Sequence, residues 1–115
     1  MRKQKKVLTR PEELALLAVW RLQPDAYGVT IRKHIMEATQ SNWSVGAIYD
    51  ALDRLSLQGH LTADQADPTP ERGGRSKRYF HITRTGYEAL VRLKSVNETL
   101  WHDLPDLGFR APAKR

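Results

Sequence analysis

The sequence predicts a mainly α fold with one small β-hairpin, arranged as a winged helix-turn-helix followed by a C-terminal helix. Three observations predict it. Ser44-Val45-Gly46-Ala47-Ile48-Tyr49 opens a helix whose apolar residues Ile48, Leu52 and Leu55 recur at spacings of four and three. Gly59 stops that helix, and Leu61 starts a short extended run. A loop rich in Pro and Gly then ends in Arg72-Gly73-Gly74-Arg75-Ser76-Lys77-Arg78, and the chain returns through Tyr79-Phe80-His81-Ile82 to a further helix beginning at Thr83. A helix followed by a basic-tipped hairpin suits one element that enters DNA and one that clamps it.

Each element has its own local reason. Residues 1–8 read as a flexible basic arm, with Arg2, Lys3, Lys5 and Lys6 and no acid. Residues 9–83 read as the winged domain. Thr9 and Glu12 have capping-box spacing, and Pro11 is tolerated in a first turn, so a first helix starts here and ends before Pro24 and Asp25. Its body carries two stripes, Leu14, Leu17, Ala18, Arg21 and Leu16, Val19, Trp20, Gln23. A helix apolar around most of its circumference must be covered on two sides, and a second subunit is the expected second cover. Tyr27-Gly28 precedes a second helix, Val29 to Thr39, with Ile31, Ile35 and Ala38 on one face. Ser41-Asn42-Trp43 is the turn, Ser44 the N-cap of the third helix, and Asp50 and Arg54 form an i,i+4 pair inside it. The first wing strand is Leu61 to Ala63, and the wing runs from Asp64 to Lys77. In the return strand Tyr79 and His81 face one way, Phe80 and Ile82 the other. Residues 84–104 form the C-terminal dimerisation helix, in which Leu90, Leu93, Asn97, Leu100 and Leu104 follow an a/d-like spacing, and residues 105–115 form a tail.

Composition narrows the class. At 115 residues with 40% hydrophobic and 28% charged residues, one globular domain is expected. There are no cysteines, the apolar run Leu14 to Trp20 is too short to span a bilayer, and no signal segment follows Met1, so a cytoplasmic protein without membrane contact is expected. Net charge +6 favours a polyanionic partner. The positive charge is clustered, in the arm and on the hairpin, where Glu71 alone opposes Arg72, Arg75, Lys77, Arg78 and Arg84.

With these residues in hand, the chain resembles the PadR family of bacterial transcriptional regulators. The matching features are Tyr27-Gly28, the run Gly46-Ala47-Ile48-Tyr49-Asp50-Ala51-Leu52-Asp53-Arg54-Leu55 with Gly59, and Arg78-Tyr79-Phe80-His81-Ile82-Thr83 followed by Gly86. The resemblance covers about Leu14 to Leu93. It implies a winged-helix domain, a homodimer built by the first and last helices, repression of transcription, and release by a small aromatic or amphipathic effector. The single C-terminal helix places the chain with the short subtype. Two departures stand out. The family commonly has Thr and Pro where this chain has Ala47 and Asp50, and His60 occupies a site usually apolar.

The candidate DNA-binding residues are Ser44, Gly46, Ala47, Tyr49, Asp50 and Arg54 on the third helix, and Arg72, Arg75 and Lys77 on the wing. Ser44 and Gly46 allow close backbone approach, and free N–H groups there suit a phosphate. The Ala47 methyl suits a thymine methyl. Tyr49 either reaches a phosphate or is a half-buried packing residue, and Arg54 serves DNA or Asp50. Asp50 and Asp53 select bases by accepting from cytosine N4, weaken binding, or face a protein. Gly73-Gly74 lets the wing backbone lie close to a minor groove that attracts Arg. Leu16, Val19, Trp20, Leu93, Asn97 and Leu100 are the candidate dimer contacts, and Trp20 with Trp101 the candidate effector pocket.

No catalytic residue, metal site or cofactor is expected. The histidines lack ligand spacing, Gly73-Gly74 lacks the context of a phosphate loop, and there is no nucleophile motif. The expected function is a homodimeric repressor on a pseudo-palindromic double-stranded operator, with half-sites about one helical turn apart. Two alternatives remain open: a winged-helix protein-protein interaction module, and a nucleic-acid binder without sequence preference driven by the arm.

Overall fold

The Thr9 capping box forms as its spacing predicts. In the computed structural model, which describes residues 7–65 and 77–104, the Glu12 amide donates to Thr9 Oγ1 at 3.3 Å and the Thr9 amide donates to Glu12 Oε1 at 3.0 Å. Helix α1, Arg10–Leu22, starts from this cap. Leu8, expected in the arm, is instead buried in the core, while Val7 is exposed. Helix α2 is Gly28–Thr39, and α3, Val45–Leu57, begins at Ser44, whose hydroxyl accepts from the Ala47 amide at 3.0 Å.

Gly59 adopts a φ of +80, a conformation in which a side chain is strained, and turns the chain out of α3. Strand β1, Leu61–Gln65, then pairs antiparallel with β2, Arg78–Ile82, in a register that sets Leu61 opposite Ile82 and Gln65 opposite Arg78. The first strand therefore runs two residues past the expected Ala63, because Asp64 and Gln65 keep backbone partners in Tyr79 and Arg78. The Phe80 amide also donates to the Ala26 carbonyl at 2.8 Å, which fastens the hairpin to the α1–α2 connection.

Helix α4, Arg84–Trp101, is seated by Thr83. The Thr83 hydroxyl donates to the Gly59 carbonyl at 2.7 Å and accepts from the Gly86 amide at 3.1 Å. The His60 carbonyl passes so close to Gly86 that a Cβ there would overlap it, so this corner admits only glycine.

The core is Leu16, Val19, Ile31, Ile35, Leu52, Leu55 and Phe80, each at most 2% exposed. Each such side chain contributes about 1.5–3 kcal/mol by leaving water. Helix α1 lies at the centre and packs against α2, α3, β2 and α4. This corrects the dimer expectation for Leu16 and Val19. Both are 0% exposed within one chain, so neither is available to a second subunit. The outward face of α1 instead carries Leu17 and Trp20, 43% and 45% exposed. Ala38, expected on the buried face of α2, is exposed. Among the described residues no helix is long and apolar enough to cross a membrane.

Candidate nucleic-acid interface

Helix α3 buries Ile48, Ala51, Leu52 and Leu55 and turns Ser44, Val45, Gly46, Tyr49, Asp50 and Asp53 outward. The spacing of 46, 50 and 53 puts these positions on one stripe. Ala47 is half-buried at its edge. Around Gly46 the space is open, so the first turn presents bare backbone.

Tyr49 does two things at once. Its ring lies on the Gly28 backbone at the start of α2, yet 42% of the residue is exposed. The packing and phosphate readings of Tyr49 are therefore compatible: the ring is held and the face stays open. With Val29, Arg32, Lys33, Met36 and Val45 it lines a groove of about 270 Å³ between α2 and α3. The α2–α3 turn is held by Arg32, whose Nε donates to the Trp43 carbonyl at 2.7 Å. Trp43 Nε1 in turn donates to Thr39 Oγ1 at 3.2 Å and to Ser41 Oγ at 3.1 Å.

Arg54 departs from the expected pair with Asp50. It does not pair with Asp50, although its side chain stays partly exposed. Its Nε donates to Glu12 Oε2 at 2.8 Å, and the Glu12 side chain is only 2% exposed. Burial pushes the Glu12 carboxyl up, but the Thr9 amide and the Arg54 guanidinium outweigh it and hold the group below its ordinary 4.5. A buried carboxylate needs a charged partner more than an exposed one does, which is why Arg54 turns inward.

At the base of the hairpin, Lys77 Nζ stands 4.4 Å above the centroid of the Tyr27 ring, and Tyr27 meets Tyr79 edge-on at 5.4 Å. This cation–π stack holds Lys77 beside the start of α2. Sequence reasoning missed it, since nothing local links residue 27 to residues 77 and 79. Arg78 approaches Asp53 at 3.9 Å, so one of the two acids of α3 has a cation beside it. Arg72 and Arg75 lie outside the described residues.

On the opposite side of the chain, Leu17, Trp20, Tyr87, Leu90, Val91, Asn97 and Trp101 line a groove of about 560 Å³ between α1 and α4. Trp20 and Tyr87 meet edge-on at 5.3 Å. Trp20 and Trp101 thus share one groove within a single chain, whereas the sequence expectation had them meeting across two. Leu93 is half-buried against the core, while Val96, Leu100, Trp101 and Leu104 are 54–74% exposed.

A family model described as the transcriptional regulator PadR-like family matches residues 16–92. No curated protein matches the chain. Among solved structures, the chain is similar to RosR of H. salinarum, with 19% identity, 85% of this chain and 81% of that chain covered, and a TM-score of 0.68. It is similar to a transcriptional regulator from Clostridium thermocellum, with 21% identity over 78% and 82% of the two chains and a TM-score of 0.66. A PadR family transcription regulator from Clostridium difficile has 20% identity over 80% and 90% and a TM-score of 0.63. At these identities the likeness establishes the winged-helix fold.

Proposed function

The chain belongs to the PadR-like family of transcriptional regulators, and from that premise we propose that it is a homodimeric repressor that binds a pseudo-palindromic DNA operator through α3 and the wing. The observation that carries this reading is the outward face of α3. Its first turn is bare backbone around Gly46, and Lys33 on α2 and Lys77 and Arg78 at the hairpin base flank it. Ser44, Gly46, Ala47, Tyr49 and Asp50 approach the major groove, and Lys77, with Arg72 and Arg75, approaches the flanking phosphates. Arg54 leaves the list of contacts, because Glu12 holds it.

Dimerisation falls to the exposed faces of α1 and α4, with Leu17 replacing Leu16 and Val19 beside Trp20, Leu93, Asn97 and Leu100. The projecting apolar end of α4 supports this assignment. The groove between α1 and α4, with Trp20 and Trp101 in it, supports a site for a small aromatic effector. Such a ligand releases DNA only by binding one dimer geometry better than the other.

Fluorescence anisotropy on the protein's own upstream DNA and on a scrambled duplex, repeated across salt, tests the reading. Tight binding with a large preference for the native sequence is expected, with a log–log salt slope of about −0.9 per phosphate contacted. Binding that ignores sequence points to the arm alone. No binding at low salt makes the acidic Asp50 and Asp53 face a protein-interaction surface.

A further inference from the structure

The one cation of the reading helix is already engaged by a carboxylate. Arg54 is the one basic residue in the span Val45–Leu57, and its guanidinium lies 2.8 Å from a carboxylate that is itself buried. Besides the partly exposed Arg54, α3 turns outward Val45 at 52% exposure, the open Gly46, the Tyr49 phenol, Asp50 and Asp53, none of them a cation. Asp53 has Arg78 beside it, whereas Asp50 has no ion-pair or hydrogen-bond partner among the described residues. The cations near this face stand on other elements, Lys33 on α2 and Lys77 and Arg78 at the hairpin base, where they suit the phosphates on either side.

Base chemistry turns this into a preference. In the major groove guanine presents two acceptors, O6 and N7, and is read by Arg or Lys. A carboxylate has acceptors alone, so guanine repels it. Adenine offers its N6 amine beside the acceptor N7, which meets a carboxylate with one attraction and one repulsion. Cytosine offers the N4 amine with an acceptor on one side alone, the O6 of its paired guanine, whereas adenine N6 lies between N7 and the O4 of its paired thymine. Apolar groups on the same stripe match the thymine methyl.

Resting on the reading of α3 as the major-groove element, we propose that this helix reads its half-site without any guanine contact. Asp50 selects cytosine through the N4 amine, and Val45 and Ala47 favour thymine methyls next to it. The affinity that a guanine-reading arginine would supply comes instead from phosphate contacts outside the helix, and Asp50 acts mainly by rejecting wrong bases.

Selection from a randomised duplex pool at fixed salt, with the wild-type chain, Asp50→Ala and Asp50→Asn, tests this. Asp50 is exposed and, among the described residues, unpartnered, and the Asn variant keeps its shape, so circular dichroism of all three should coincide. The wild type should enrich one cytosine per half-site, flanked by thymine, over guanine by roughly tenfold. Asp50→Ala should lose that preference and bind scrambled DNA more tightly. Asp50→Asn should move the same position toward adenine, whose N6 and N7 an amide matches in pairs. A base profile unchanged in both variants, or guanine enriched at the position they alter, overturns the proposal while leaving α3 a DNA reader. A wild-type chain that enriches no sequence overturns the reading on which it rests.

Discussion

The phenol of Tyr49 on α3 rests on the backbone of Gly28, the first residue of α2. A Cβ at Gly28 would overlap the Tyr49 hydroxyl and the ring carbon that bears it. The pair Tyr27-Gly28 and the run Ile48-Tyr49, which look like separate signatures in the sequence, are the two sides of one contact. It sets the separation of the two helices that make the helix-turn-helix, and it fixes which way the phenol points.

Gly28→Ala should therefore act through Tyr49. The half-exposed ring can swing away, and alanine favours the helix start, so the net stability change should stay within about 1 kcal/mol. In a Tyr49→Ala background the same substitution should stabilise by about 0.5–1 kcal/mol. Urea denaturation of the four proteins gives the coupling directly. Additive behaviour would show that ring and glycine do not touch in solution.

Arg54→Ala should lower stability by about 2 kcal/mol, because it leaves the buried Glu12 carboxylate without its cation. The loss is smaller than for a fully buried pair, since the Arg54 side chain is 42% exposed and screened by water. Glu12 titrates below its ordinary value, so its contribution is complete above about pH 4.5 and disappears as pH falls through the lower, folded-state value. Chemical denaturation between pH 7 and pH 3 should show this drop in the wild type and much less of it in Arg54→Ala.

His60 gives a second, separate window. The residue is 8% exposed, and its Nδ1 has no hydrogen-bond partner among the described residues. Burial and the nearby Arg92 charge hold the imidazole below its ordinary 6.5, with Glu12 pulling the other way. The unfolded chain therefore takes up a proton before the folded one does. Stability should be complete above pH 6.5 and decline as pH falls below it. His60→Leu, which removes the buried imidazole and its unpaired Nδ1, should flatten that decline and add about 1 kcal/mol at pH 6. Melting temperatures measured from pH 8 to pH 5 decide it.

Leu100→Asp and Trp101→Asp should leave the fold intact and shift light-scattering mass toward one chain, because both side chains project into solvent in the single chain, at 67% and 74% exposure. Leu16→Ala should instead destabilise by about 2–5 kcal/mol through a core cavity, with no specific effect on assembly. A dimer that survives both Asp substitutions would remove the end of α4 from the interface.

These residues also show where the sequence was readable. Caps were legible because their chemistry is local: Thr9 with Glu12, Ser44 with the Ala47 amide, and Thr83 with the Gly86 amide all lie three positions apart. The inward face of α3 was legible because polar residues interrupt it at helical spacing. On α1 almost every position from Leu14 to Leu22 is apolar, so periodicity could not separate the core pair Leu16 and Val19 from the outward pair Leu17 and Trp20. Arg54 was misplaced because the local rule offered Asp50 four residues away, while the stronger partner stands 42 residues away in α1. The Tyr27, Lys77 and Tyr79 cluster has no local signal at all, since the fold alone brings it together.

One rod joins the two ends of this arrangement. Helix α1 holds Arg54 of α3 at Glu12 and offers Trp20 to the groove eight residues later, about 12 Å along a stiff axis. Treated as a lever pivoting at Trp20, a tilt of about 10° displaces the Glu12 end by about 2 Å. A hydrogen bond of 2.8 Å survives that stroke only if the Arg54 side chain follows. Whatever seats against Trp20 thus touches the same helix that holds Arg54 of α3.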